Sequence, residues 1–430
     1  MMVDEKVFKD VVHGYVRVRD ELIWDLIQTP VFQRMHRIKQ LGGTYVVYPT
    51  AEHSRFSHSL GVYELTRRIV GILMDQGYVI DDETRMLVLV AALLHDVGHG
   101  PFSHSFESVL GVSHENFTCR ILQEDAEVHC LLEGYSVGFS QKVSDVISKS
   151  YGDELIVSLV SSQLDADRLD YLLRDSYFTG TPYGEIDLDR ILRTIRVSNG
   201  KIVFKASGMH AIEDYLLSRY QMFWQVYLHD CSQSFDFLIK SLLGRVRKLI
   251  ETGYEFRCDV GLFRSLFEGD AVGVVPLDVY LRFDDGMIMT YTANFLAEED
   301  AILCDLADRL LNRRLLDEFE YARNEASVVI LKDISKNLGE MGIDVDSYFF
   351  NDCHERSPYD YYGLGDETID LLMSDGSIRE ISSVSDIIKG LVNSSKKKST
   401  VFLPLDLIEA SGDGEMREKI LEKLYHLGMR

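Results

Sequence analysis

Met86 to Leu94 reads MLVLVAALL, an apolar run that only a buried segment can accommodate, and it ends on the pair His95-Asp96. An imidazole beside a carboxylate at the edge of a core is costly unless something compensates both groups. A divalent metal ion does so, because neutral imidazole nitrogen and ionised carboxylate oxygen are both competent ligands. Adjacent residues share one ion only where the chain turns sharply. Gly98 and Gly100, in Val97-Gly98-His99-Gly100-Pro101, are expected to supply that turn.

Two other segments carry matching chemistry. Upstream, His58 stands at the start of the helical pattern Leu60, Leu65, Ile69, Ile72 and Leu73. Downstream, Asp167, Tyr171, Arg174 and Asp175 recur at helical spacing as one polar stripe, opposite Leu169, Leu172 and Leu173. If that stripe is solvated, Asp170 and Arg174 form an ordinary pair one turn apart, worth about 0.3 kcal/mol.

The order His58, His95-Asp96, Asp167 resembles the ligand set of the HD-domain metal-dependent phosphohydrolases. Three further strings, Phe32 to Gly42 (FQRMHRIKQLG), His99 to Glu107 (HGPFSHSFE) and Asp165 to Tyr171 (DADRLDY), are similar to one branch of it, the deoxynucleoside triphosphate triphosphohydrolases. That branch includes bacterial dGTPase and the vertebrate enzyme that joins a sterile-alpha-motif module to an HD domain. The layout is closest to the bacterial members without extra modules. The resemblance implies a mainly α fold, an HD-domain helical core with a smaller mixed α+β C-terminal part. It also implies one divalent ion per active site, held by His58, His95, Asp96 and Asp167, a set that serves Mg, Mn, Fe or Zn alike, and Mg with bound nucleotides.

Phosphoryl chemistry states what else is needed. A metal lowers the pKa of a water toward about 7 and polarises a phosphate oxygen. The leaving group of a dNTP cut at the α-phosphorus is the nucleoside 5′-oxygen, which needs a proton donor. His104 is the candidate, with Glu107 one helical turn on to hold its imidazole. This pair matches the family's general acid and its acidic partner, and His99 and His114 match further active-site histidines. By the same resemblance Arg55, Arg168, Tyr171 and Arg219 bind the triphosphate, and Gln40 and Asp175 hold the sugar 3′-hydroxyl. Tyr227 packs under the ribose, where a 2′-oxygen would clash, and Leu41 forms a neighbouring wall.

The function implied is metal-dependent hydrolysis of dNTPs to deoxynucleoside and inorganic triphosphate. The alternatives are another HD-domain phosphohydrolase (nucleotidase, phosphodiesterase or alarmone hydrolase) and a weakly catalytic nucleotide sensor. Relatives of this layout form homo-oligomers, commonly tetramers, activated by nucleotides between subunits. A regulatory dNTP or GTP is therefore expected near Lys6, Lys9, Gln33 and His36. Gln28, His36 and Lys9 stand where the vertebrate enzyme has Asp, Arg and Asn, so its base preference does not carry over.

Composition is consistent with a cytoplasmic enzyme. The six cysteines show no paired spacing, and no stretch approaches the about 20 apolar residues of a membrane span. A net charge of −24 disfavours nucleic acid as a partner, whereas Arg55, Arg168 and Arg219 near the motifs suit a small polyphosphate. The chain divides into an HD-domain phosphohydrolase core (1–240), a helical extension (241–325) and a mixed α+β region (326–430). Ser198-Asn199-Gly200-Lys201 predicts a hairpin between strands near Ile195 and Phe204. Thr368 to Met373 and Ser377 to Ile381 predict another around Ser374-Asp375-Gly376. Ser327 to Leu331 reads as a strand and Lys396 to Lys398 as a solvated loop.

Overall fold

In the computed structural model, which describes residues 5–271, 274–356, 368–392 and 396–428, a hairpin of β1 (Lys6–Asp10) and β2 (Gly14–Val18) comes first. It was not legible in the sequence. Helices α1 (Glu21–Gln28) and α2 (Pro30–Arg34) lead to the long α3 (Arg55–Asp75), against which α4 (Asp82–Leu94) packs. After the loop 95–103 come α5 (His104–Leu110), α6 (His114–Glu124), α7 (Ala126–Tyr135), α8 (Phe139–Ile147) and α9 (Glu154–Val160), of which α8 and α9 cover α4. Helix α10 (Ala166–Thr179) returns to lie on α3, and α11 (Leu188–Thr194), α12 (Met209–Met222) and α13 (Asp230–Glu251) complete the first half. The fold is mainly α, as expected.

The apolar run behaves as its composition requires. Every residue from Met86 to Leu94 is buried, and each large side chain taken out of water contributes about 2 kcal/mol. Asp81 caps the first turn of α4 by accepting the Thr84 N–H at 2.8 Å.

The expected Asn-Gly hairpin is present as β3 (Ile195–Ser198) and β4 (Lys201–Lys205), with Asn199 and Gly200 at φ of 52° and 72°. β5 (Asp317–Glu320) and β6 (Phe350–Arg356) follow, and then the second expected hairpin, β7 (Asp370–Leu372) and β8 (Ile378–Glu380). β7 pairs in parallel with β4, extending the first sheet in the order β3-β4-β7-β8. The other sheet is β5-β9-β6, with β9 spanning Lys396–Leu403.

Two expectations fail for physical reasons. Ser327 to Leu331 is helical, inside Glu325–Glu340. The β-branched Val328 and Val329 suggested a strand, but Asn324 and Ser327 form a reciprocal capping box, and Leu331, Ile334 and Leu338 bury one helical face. Lys396 to Lys398 is no loop but the start of β9, where each lysine extends the ladder with β6. Lys397 pairs with Glu355 at 3.0 Å and Lys398 with Asp230 at 2.7 Å.

The two apolar cores cross the divisions at 240 and 326. Ile369, Leu371, Ile381 and Ile388 join the first, built around α3 and α4. Phe102, Phe106, Leu110 and Phe117 join the second, built around α13. No helix among the described residues is long and apolar enough to cross a membrane.

The loop after His95-Asp96 is shaped by close approach. A Cβ on Gly98 would lie 2.2 Å from the His114 carbonyl oxygen and 2.3 Å from the Thr118 nitrogen. Positive φ falls on Phe102 (50°) and Ser103 (48°), so Gly98 and Gly100 serve the sharp turn by allowing close packing. Gly98→Ala would meet backbone that cannot step aside and is expected to cost about 3 kcal/mol. Thermal unfolding checks this, and an unchanged midpoint would contradict it.

Candidate metal centre and active site

Four side chains from three helices and a loop meet at one point. His58 lies in the first turns of α3, His95 and Asp96 end α4, and Asp167 lies in the first turn of α10. His58 Nε2 is 3.0 Å from Asp167 Oδ1 and 3.8 Å from Asp96 Oδ2. His95 Nε2 is 3.7 Å from Asp167 Oδ1 and 3.4 Å from Asp96 Oδ1. His58, His95 and Asp167 present ligand atoms close enough together to hold one ion, with Asp96 alongside.

The histidine tautomers fit a cation. His58 Nδ1–H donates to Asp170 Oδ2 at 2.8 Å, and His95 Nδ1–H to the Ala92 carbonyl at 2.9 Å. Both Nε2 lone pairs therefore point inward. His95 Nε2 is buried with no hydrogen-bond partner, an orphan that an ion would satisfy. Asp167, at 35% side-chain exposure, gives the centre an open side.

Burial pulls the His58 pKa down, but Asp167 and Asp170 more than offset it and hold it up at about 10. A cation must displace that proton. Mn²⁺ affinity of the metal-stripped protein is therefore expected to rise with pH, about tenfold per unit between pH 6 and 8. Titration at several pH values checks this, and a flat profile would contradict it.

Arg55 reaches across the centre. Its Nη1 donates to Asp96 Oδ2 at 2.5 Å and its Nη2 to Ser103 Oγ at 2.7 Å. Ser103 is held in turn because Asp285 accepts the N–H of Phe102 and of Lys39, each at 2.8 Å. Burial pushes the Asp285 carboxyl up to about 6. Arg34, fully buried, donates to the carbonyl of His99 at 2.8 Å and to that of Phe283 at 2.8 Å. The second half of the chain thus braces the loop 95–103.

Beside the metal centre, three imidazoles surround one carboxylate. Glu107 Oε1 lies 3.0 Å from His99 Nδ1 and 3.1 Å from His114 Nδ1, and its Oε2 lies 3.6 Å from His104 Nδ1. Burial alone would raise the Glu107 carboxyl, yet His104, His114 and His99 hold it far below the usual carboxylate range. His99 stacks on His114 at 3.7 Å and sits 3.4 Å from Asp96 Oδ1, joining the two groups. Burial and the Arg55 charge lower the His99 pKa to about 4, so it is neutral at pH 7. His104 is 78% exposed.

The residues matched to substrate binding lie on the same side of α10. Asp175 Oδ2 accepts from Tyr227 Oη at 2.8 Å, and the Tyr171 and Tyr227 rings are 6.3 Å apart. Asp175 Oδ1 accepts from His53 Nε2 at 2.7 Å. His53 was not singled out from the sequence, although it stands two residues before Arg55. The Gln40 N–H donates to the His53 carbonyl at 2.9 Å, which draws Gln40 and the half-buried Leu41 toward this group. Arg168 Nε is 3.5 Å from Asp165 Oδ2, and Arg219 donates to Gln163 Oε1 at 3.2 Å. Far from being a solvated stripe, Asp170, Arg174 and Asp175 are almost wholly buried.

Of the residues matched to a regulatory nucleotide, Lys6 and His36 border one aromatic group, while Lys9 and Gln33 have other partners. Lys6 Nζ lies 5.9 Å over Trp24, whose ring neighbours Phe8, and Phe8 meets Phe56, on which His36 stacks at 3.5 Å. Lys9 lies over Tyr15 at 4.1 Å, and Gln33 donates to the Ile27 carbonyl at 2.8 Å.

Comparison with known proteins agrees with this geometry. Residues 55–172 match the HD domain, and residues 186–251 the HD associated region. The Bacillus subtilis protein YwfO is 46% identical over 98% of this chain and 97% of its own length. A crystal structure of a phosphohydrolase from Bacteroides thetaiotaomicron superposes with a TM-score of 0.83 at 30% identity, over 93% of this chain and all of that one. The deoxynucleoside triphosphate triphosphohydrolase SAMHD1 homolog of Dictyostelium discoideum is 34% identical over 54% of this chain and 48% of its own length. The chain belongs to the HD-domain phosphohydrolase family.

Proposed function

We propose that this protein hydrolyses deoxynucleoside triphosphates to deoxynucleoside and inorganic triphosphate, as a homotetramer activated by a dNTP or GTP. One observation carries the reading. His58, His95 and Asp167 bring ligand atoms together beside Asp96, Glu107 gathers His99, His114 and His104 next to Asp96, and Asp175 pairs with Tyr227 two turns along α10 from Asp167, an arrangement that supports reading them as cation site, proton donor and sugar contact.

A divalent ion bound there supplies a Lewis acid and brings the pKa of a water toward about 7. The chain's own residues do the rest. Arg55, Arg168 and Arg219 meet the phosphate oxygens with planar cationic forks, at the expense of their present partners Asp96, Asp165 and Gln163. Asp175 accepts from the sugar 3′-hydroxyl, and Tyr227, fixed by its hydrogen bond to Asp175, closes the space a 2′-hydroxyl would need. His104, with its Nδ1 3.6 Å from Glu107 Oε2, gives a proton to the departing 5′-oxygen.

Incubation of each dNTP with the protein and Mn²⁺, followed by chromatography, tests this. Nucleoside plus triphosphate is expected; dNMP with pyrophosphate, or binding without turnover, would refute it. Light scattering with assays of paired nucleotides tests the assembly. A monomer fully active on one dNTP, with no gain from a second nucleotide, would remove the regulatory half.

A further inference from the structure

Behind the metal centre lies a buried ionic network that the chemistry above does not use. Asp170 is wholly buried and every acceptor position on its carboxylate is taken. Oδ1 accepts from His13 Nε2 at 2.6 Å and Arg174 Nη2 at 2.9 Å; Oδ2 accepts from His58 Nδ1 at 2.8 Å and Arg174 Nε at 2.9 Å. Arg174 sends its remaining nitrogen, Nη1, to Asp10 Oδ2 at 2.8 Å. Asp10 Oδ1 accepts the N–H groups of Val12 and His13, each at 2.8 Å, and so shapes the turn that presents His13. Helix α3 makes room for all of this at Gly61, where a Cβ would lie 1.8 Å from Asp170 Oδ1.

Asp10 and His13 bracket the turn between β1 and β2. The hairpin therefore contributes one anion and one imidazole to a cluster whose other end orients His58. An undocked hairpin would leave Arg174 short of an anion and Asp170 short of a donor in a buried site. Losing one partner of such a pair is far costlier than leaving both assembled, so the cluster forms with the hairpin docked or not at all. Lys6 and Lys9 lie on β1, and Lys9 adjoins Asp10.

We propose that the Asp10–His13 turn positions the metal ligand His58 through Asp170, so that docking of the N-terminal hairpin sets metal affinity. The proposal rests on the reading of the centre as a metal site, and its regulatory meaning on the nucleotide site proposed at Lys6 and Lys9. A nucleotide that holds the hairpin down tightens the metal, and by reciprocity the metal holds the hairpin down. His13 and Asp10 are positioning residues and touch no substrate.

The test uses the full chain, stripped of metal and titrated with Mn²⁺ against a competing chelator, without nucleotide. His13→Ala is expected to lower Mn²⁺ affinity by about 10- to 100-fold, as loss of an outer hydrogen-bond partner does elsewhere. His13→Gln, whose amide can still donate to Asp170, should recover most of it. Arg17→Ala, on an exposed side chain of the same hairpin that pairs with Glu5, should change nothing. Should His13→Ala fail to fold, hydrogen exchange on the unaltered protein decides: Mn²⁺ should slow exchange across residues 6–18. Wild-type Mn²⁺ affinity in folded His13→Ala, an equal loss in Arg17→Ala, or hairpin exchange indifferent to Mn²⁺ would each overturn the proposal. A protein that passes these tests yet cleaves no dNTP would refute the proposed activity alone.

Discussion

Asp167→Ala is expected to fold, to lose bound metal and to lose hydrolysis by at least about 10³-fold. Asp167 Oδ1 stands 3.0 Å from His58 Nε2 and 3.7 Å from His95 Nε2, so its removal takes one ligand and one of two neutralising charges. The side chain is 35% exposed, which leaves no closed cavity in the core. Burial would raise the Asp167 carboxyl, but His58 and His95 hold it well below its ordinary range. Without it, two inward-facing imidazoles share only Asp96, itself bonded to Arg55. Metal content by mass spectrometry and the hydrolysis rate should fall together. Full activity in a metal-free Asp167→Ala protein would remove the centre from the chemistry.

His104→Ala should separate binding from turnover. With 78% of its side chain exposed, His104 contributes little to packing, and no metal ligand contacts it. Metal content, thermal stability and dNTP binding should be unchanged while the rate falls roughly 10²- to 10⁴-fold. Glu107→Gln should reproduce part of this loss, since Glu107 is the group around which His104, His99 and His114 are arranged. An undiminished rate in His104→Ala would transfer the proton donor's role to another group, with His114, 3.1 Å from Glu107, the candidate.

What could be read in advance, and what could not, follows from the range of the forces involved. The run Met86 to Leu94 declares its burial locally, and Asn199-Gly200 declares its turn. The ligand positions were accessible because metal chemistry limits the residue types and the family resemblance gives their order. Asp170 could not be singled out in advance because an Asp and an Arg one turn apart look the same on a solvated face and in a buried cluster. The difference is made by Gly61 on α3 and by His13, more than 150 residues away in the chain. Val328 and Val329 misled for a related reason: they are exposed, so their β-branched side chains bring no sheet packing, and the Asn324 cap decides. Lys396 to Lys398 become a strand because β6 offers an edge carrying Glu355 and α13 supplies Asp230.

The most direct test of the central claim is hydrolysis of a dNTP in ¹⁸O-labelled water, with the products resolved by mass spectrometry. Attack of water at the α-phosphorus with departure of the 5′-oxygen predicts one ¹⁸O in the inorganic triphosphate and none in the deoxynucleoside. Label in the nucleoside hydroxyl, or products cut at the β- or γ-phosphorus, would contradict it.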